Sequence, residues 1–208
     1  MSPDSYILIF GDRTAADWHA TRALLNADNP KNWDLAYTDF FLERLKLRYL
    51  EPIAILQSSG TSRGEGFAIM AIQCSLIEFL ESTAQGVNYK YSRSDQDVGK
   101  FEYKNSKDIF VSFLTKQKPF SEYFDQITAQ EFYVSVRCGL LHEAKTKNNW
   151  RIWDRSSAGI IVNASEKIVY RDAFQDALIS YLHDYRARLR DDSNHQAAFI
   201  RKMDNLCA

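Results

Sequence analysis

The chain has 208 residues, of which 45% are hydrophobic and 25% charged, the composition of an ordinary globular domain rather than of a disordered or membrane-embedded chain. A net charge of −1 removes any global electrostatic case for nucleic-acid binding, so a phosphate site would need a local basic patch. Three widely spaced cysteines, Cys74, Cys138 and Cys207, form no CxxC pair, which argues against a disulfide framework or zinc site and for a reducing, cytoplasmic setting.

Residues 1–32 read as an N-terminal extension. It comprises a short strand over 6–10 (YILIF) ended by Gly11-Asp12, then an irregular stretch up to a turn at Asn29-Pro30. The apolar run is too short for a signal-peptide core or a membrane span, so no membrane association is expected. From 33 to 56 the spacing predicts a helix with Leu35, Leu42, Leu45, Tyr49 and Ile53 on its apolar face, kinked or split at Pro52. Residues 58–66 (SSGTSRGEG) suggest a phosphate-cradling loop, but they lack the Gly-Lys-Ser/Thr end and follow a helix, so they read as a plain loop. A second helix over 67–84 carries Ile69, Ile72, Leu76 and Phe79 on one stripe, with Gly86 as its stop.

Residues 86–106 are polar, with Tyr89, Tyr91, Phe101 and Tyr103 set among Lys and Arg. Such rings can stack the bases of single-stranded RNA. The preferred reading is a surface loop carrying a few core anchors. Helices are expected over 107–116 and 128–145, the latter with Phe132, Val136 and Leu140 on one face. The period then becomes strand-like at 150–153, 159–162 and 167–170, before Asp172 opens a last main helix burying Phe174, Leu178, Leu182 and Leu189. Past Arg190 the tail is polar and either continues as helix or frays. The expected architecture is mainly α. It is a helical domain over 33–208, with a small antiparallel β-meander at about 149–171 inserted before the last main helix.

Chemistry concentrates at Arg137 and His142. An Arg followed four to six residues later by His is weak as a spacing, and Arg13–His19 and Arg190–His195 match it too. Arg13–His19 lies in the irregular N-terminal part. Arg190–His195 encloses Asp191 and Asp192, which would neutralise the Arg. Arg137–His142 alone sits in an apolar helix, where Val134, Val136, Leu140 and Leu141 would hold the backbone rigid. An arginine in such a helix is costly without a partner or a ligand. From Arg137 to Arg155 five cations (Arg137, Lys145, Lys147, Arg151, Arg155) face two acids (Glu143, Asp154), a local attraction for a phosphodiester in an otherwise neutral chain.

The stretch from Phe132 to Ala144 (FYVSVRCGLLHEA) resembles the signature helix of the HEPN superfamily (higher eukaryotes and prokaryotes nucleotide-binding), and Ile77-Glu78-Phe79-Leu80 resembles its preceding core helix. The resemblance spans roughly residues 35–190, with the specific part confined to the Arg-x4-His motif. It implies a helical bundle, a homodimer, and endoribonuclease activity of the kind found in toxin–antitoxin, abortive-infection and antiviral systems, with an antitoxin or defence-system partner. The position after the Arg, commonly Asn, Asp or His in active members, is Cys138, and a thiol hydrogen-bonds weakly.

On a regular helix Arg137 and His142 point about 140° apart, so convergence on one phosphate calls for two helices packed about a two-fold axis. The implied reaction is metal-independent transesterification of RNA, single-stranded or transfer RNA, with no cofactor. His142 would exchange the proton, and Arg137 would hold the phosphate and stabilise the charge of the pentacoordinate state. Lys145, Lys147 and Arg151 are the expected RNA-backbone contacts, and Cys138 and Glu143 the supporting neighbours. The alternatives are a module of the same class that binds nucleotide or RNA, or dimerises, without cutting, and a partner-binding bundle in which Arg137 and His142 are structural.

Overall fold

The computed structural model describes residues 8–26, 29–59, 64–156 and 158–208. The phosphate-loop question at 58–66 therefore falls partly, at residues 60–63, outside the described residues. Helix accounts for 66% of the structure and strand for 9%, so the mainly helical class expected from the sequence holds. The described residues carry seven helices. They are α1 (Ala15–Ala23), α2 (30–58), α3 (Glu65–Gln85), α4 (Ser106–Lys116), α5 (126–143), α6 (Arg171–Asp191) and α7 (Ser193–Leu206). The chain divides into two units, one of residues 1–52, 82–104 and 184–208, the other of residues 53–81 and 105–183.

In the first unit a tight hairpin of β1 (Leu8–Phe10) and β2 (Arg13–Thr14) leads directly into α1. The stretch expected to be irregular is helical because Thr14 and Asp17 close a reciprocal cap. The Thr14 hydroxyl accepts the Asp17 N–H at 3.2 Å, and the Asp17 carboxylate accepts the Thr14 N–H at 2.8 Å. Pro30 is the first residue of α2 rather than part of a free turn, a position where its missing N–H costs nothing.

Within α2 the buried line is Trp33, Tyr37, Phe41 and Leu45, continued by half-buried Tyr49; Leu35, expected on this face, is 57% exposed. Steps of four residues drift by about 40° each on an α-helix. Two π-helical stretches, Tyr37–Leu42 and Lys46–Leu50, underwind α2 and keep the line on one side. The second stretch also explains why Pro52 does not split the helix. It sends the Glu51 N–H back five residues to Lys46, widening the turn against which the proline ring would otherwise press. Trp18, Phe40, Phe41, Tyr185 and Phe199 form the core, with centroids of neighbouring rings 5.4–6.1 Å apart, and the Trp18 indole N–H donates to Asp204 at 2.9 Å.

Gly86, at φ +65, ends α3 as expected, with the Val87 N–H reaching back to the Ser82 carbonyl at 2.9 Å. The polar tail is helix α7, started by Asp192, whose carboxylate accepts the N–H groups of Asn194 and His195. Residues 86–106 contain a short parallel pair, β3 (Asn88–Tyr89) and β4 (Glu102–Tyr103).

The second unit is built around phenylalanines. Phe132 packs against Phe124, Phe174 and Trp150, and Phe113 against Phe120 and Tyr181. Its three-stranded sheet is not the expected meander. β7 (Ile168–Tyr170) lies in the middle, parallel to β5 (Arg151–Trp153) and antiparallel to β6 (Val162–Asn163). Ile168, Val169 and Tyr170 are buried throughout, whereas Arg151 and Trp153 are exposed, so the fully apolar strand takes the centre and the half-polar one an edge. Buried Ile53 also belongs to this unit.

Candidate functional site

The site helix α5 begins under a side-chain cap, with the Asp125 carboxylate accepting the Thr128 N–H at 2.7 Å. It is α-helical to Phe132, π-helical over Tyr133–Arg137, where the Cys138 N–H reaches back five residues to Tyr133, and α-helical again over Cys138–Glu143. The chain then reverses at Ala144, in the left-handed region at φ 52, and residues 145–150 fold back along the helix. The Ser135 carbonyl, in the widened turn, accepts the Lys147 N–H at 2.8 Å, and the Ser135 hydroxyl accepts from the Asn148 amide at 2.9 Å. Gly139 makes this seat possible, because a Cβ there would lie 2.5 Å from the Lys145 carbonyl oxygen. The glycine of the Arg-Cys-Gly-Leu-Leu-His segment is thus a packing requirement. Of the four residues expected to brace the backbone, Val136 is fully buried and Leu140 half-buried, whereas Val134 and Leu141 are exposed; the returning loop seats the helix on that side.

Arg137 leans toward α3. Its guanidinium lies 3.5 Å from the Glu78 carboxylate and over the Tyr133 ring at 5.2 Å from the centroid. The two charged side chains are 18% and 19% exposed. Cys74, one turn before Glu78 on α3, feels the same guanidinium, and burial pushes its thiol up to about 12. Burial likewise raises the Tyr133 hydroxyl above its ordinary value, opposed by Arg137 and reinforced by a hydrogen bond shared with the Cys138 thiol. Cys138 therefore bears on Arg137 through the ring on which Arg137 rests. Glu78, Tyr133 and Cys74 stand in segments named from the sequence but were given no role at the site there. Tyr133, four residues before Arg137 on the same helix face, carried a signal, whereas Glu78 is distant in sequence and did not.

His142 stands exposed on the last turn of α5. Arg137 sits in a mostly buried cluster and His142 in solvent, so one chain does not bring them together. The Glu143 carboxylate pairs with both Lys145 and Lys147, and the Lys147 hydrogen bond, ahead of the added Lys145 charge, holds it below its ordinary range. Arg151 rests over the Trp153 ring and donates to the Glu166 carbonyl at 3.0 Å, which leaves its charge uncompensated by that bond. Arg155 pairs with Asp172 at 3.1 Å on the wall of a cleft of about 820 Å³ that Arg171, Gln175 and Tyr123 also line.

No protein-family model, curated protein or solved structure matches the chain. The two other Arg–His pairs are engaged otherwise. Arg13 pairs with Asp39 at 2.7 Å, and Arg190 lies 3.7 Å from Asp34, an acid far from the Asp191-Asp192 pair expected to neutralise it. His195 is 3.1 Å from the Asp192 carboxylate. Among the described residues no group of three His, Cys, Asp or Glu side chains could hold a metal ion.

Proposed function

We propose that the chain is an endoribonuclease of the HEPN class that works as a cytoplasmic homodimer, with each composite site taking Arg137 from one protomer and His142 from the other. The observation that carries this reading is the divergence of the two side chains on one helix. Arg137 is braced by Tyr133 and Glu78, while His142 is open to solvent. A phosphate reaching both needs a second copy of α5. The exposed apolar side chains Val134 and Leu141 on the same helix offer surface for that copy. The π-helical turn ending at Arg137 also supports a functional role, since such turns recur at functional sites.

In the reaction, His142 takes the proton of a ribose 2′-hydroxyl, the 2′-oxygen attacks phosphorus, and the 5′-oxygen leaves with that proton returned by the same imidazolium. Arg137 turns from Glu78 to the phosphate and stabilises the pentacoordinate dianion, and the products are a 2′,3′-cyclic phosphate and a 5′-hydroxyl. Lys145, Lys147 and Arg151 steer the RNA backbone, and the activity fits a toxin or defence effector with a cognate partner. A second reading, an RNA- or nucleotide-binding dimer that does not cut, is favoured by one observation: Arg137 already has a carboxylate partner in Glu78.

The test is incubation of purified protein with single-stranded RNA and transfer RNA in excess EDTA, beside Arg137→Ala and His142→Ala. Cleavage that leaves cyclic phosphates and disappears in both variants supports the nuclease. Binding without cleavage selects the second reading, and cleavage that persists in both variants removes the site assignment. A monomer by light scattering at micromolar concentration removes the composite site.

A further inference from the structure

Residues 86–104 hold aromatic side chains that a core would have buried. Tyr91 is 76% exposed, Tyr89 55% and Phe101 41%, so these three do not anchor the loop to the core as expected, whereas Tyr103 is half-buried. Their arrangement is ordered by the β3–β4 ladder. Asn88 donates to the Phe101 carbonyl at 2.9 Å and Lys90 to the Tyr103 carbonyl at 2.8 Å, with Tyr89 directly across from Tyr103. Side chains alternate along a strand, so Tyr89 and Tyr103 share one face, where their rings meet at 5.6 Å, and Lys90 and Glu102 pair at 2.9 Å on the other. Tyr91 follows β3 in irregular chain, and Phe101 sits in the turn just before β4, at the other end of the ladder.

Cations border the rings. The Arg201 guanidinium lies over Phe101 at 4.2 Å from the centroid, and the Lys100 ammonium lies at 5.2 Å. Arg201 is fixed there by donating to the Gly86 and Gln85 carbonyls at 3.3 Å each. Exposed rings on and beside a hydrogen-bonded ladder, one of them flanked by two cations, are what unpaired bases and their phosphates require. A folded protein partner would also take up Tyr, Phe and Arg and is the outcome that self-association through Tyr91 would report, whereas a duplex would favour phosphate contacts without rings.

We propose that Tyr89, Tyr91, Phe101 and Tyr103, with Lys100 and Arg201, form a stacking platform for single-stranded nucleic acid. The choice of RNA as its ligand rests on the ribonuclease reading, whereas the platform itself rests on the exposed rings. It would select unpaired stretches of substrate and would bind them whether or not Arg137 and His142 cut.

The test is fluorescence anisotropy with a labelled oligouridine of about a dozen nucleotides, a length matched to stacking sites of this kind, in the Arg137→Ala/His142→Ala background so that cleavage cannot interfere. An oligodeoxythymidine and a blunt RNA duplex form the comparison arms. Tyr91→Ala and Tyr89→Ala should each weaken oligouridine binding about tenfold, Tyr91→Trp should retain it, and the duplex should bind far more weakly. Stronger binding of oligouridine than of oligodeoxythymidine supports RNA as the ligand. Equal binding of the two supports the platform and overturns only the choice of RNA. Unchanged affinity in both alanine variants overturns the platform, as does equal binding of duplex, or concentration-dependent self-association through Tyr91 with no oligonucleotide bound. Platform failure with intact cleavage in the parent protein leaves the nuclease standing, and the converse leaves the platform standing.

Discussion

Gly139→Ala isolates the seat of the returning loop on α5. Two effects oppose each other. Replacing glycine by alanine inside a helix normally stabilises by about 0.5–1 kcal/mol. Here the new Cβ would lie 2.5 Å from the Lys145 carbonyl oxygen and 3.4 Å from the Thr146 Cα, and these are backbone atoms that no rotamer change can move aside. Overpacking of this kind costs about 1–3 kcal/mol. Displacing the loop also strains the Lys147–Ser135 and Asn148–Ser135 hydrogen bonds, worth about 1 kcal/mol each. The expected net is a loss of about 1–2 kcal/mol, read in urea unfolding as a fall in midpoint of about 0.5–1 M with an unchanged slope. A variant that is as stable as the parent, or more stable, would refute the close approach of residues 145–146 to α5 and, with it, the account of why this position is glycine.

The caps give a pH prediction. Asp17, Asp125 and Asp192 are held below the ordinary aspartate range, first by backbone hydrogen bonds involving Thr14, Thr128 and Asn194 respectively. A depressed carboxyl contributes stability in full above its unfolded value and loses it as pH falls through the folded one. The chain should therefore lose stability progressively below about pH 4, and Asp125→Ala should flatten part of that limb in acid titrations of the urea midpoint. Thr14→Ala should cost about 1 kcal/mol in thermal or urea unfolding, the usual worth of such a cap. In thiol titration at pH 8, half-buried Cys138 should react first. Cys74 and Cys207, raised to about 12 and about 11 chiefly by burial, should stay protected until the protein unfolds. Glu78→Ala should lower stability by about 1–2 kcal/mol while strengthening phosphate or RNA binding at Arg137, measured by unfolding and by anisotropy side by side.

The helices were legible where one period ran unbroken. Phe174, Leu178, Leu182 and Leu189 are all buried on α6 as their spacing requires, and Gly86 stops α3. In α2 the information was present in a different form. Trp33, Tyr37, Phe41, Leu45 and Tyr49 repeat every four residues, a spacing that fits an underwound helix, whereas a template of 3.6 residues per turn drew Leu35 onto the face. The strands at 151–153 and 168–170 were found by composition, but the one expected at 159–162 lies at Val162–Asn163, and the strand order was not legible. Local alternation says nothing of which strand is central; the unbroken apolar run Ile168-Val169-Tyr170 does. Arg137 and His142 were legible as a pair on one helix, and so was their divergence. The Glu78 carboxylate, 59 positions earlier in the chain, belongs to tertiary structure and leaves no local trace.

The π-helical turn between Tyr133 and Arg137 makes α5 a ruler with one residue to spare. The part before the turn is fixed by Phe132 in its nest of Phe124, Trp150 and Phe174, and the part after it by Gly139 beneath the loop. A π turn holds one residue more than the α turn it replaces, so removing one residue from 133–137 would let the turn relax to ordinary helix and leave the two anchored parts nearly in register, whereas removing a second would rotate them by about 100° against each other. A single deletion at exposed Val134 should therefore cost far less stability in urea unfolding than a double deletion in the same stretch.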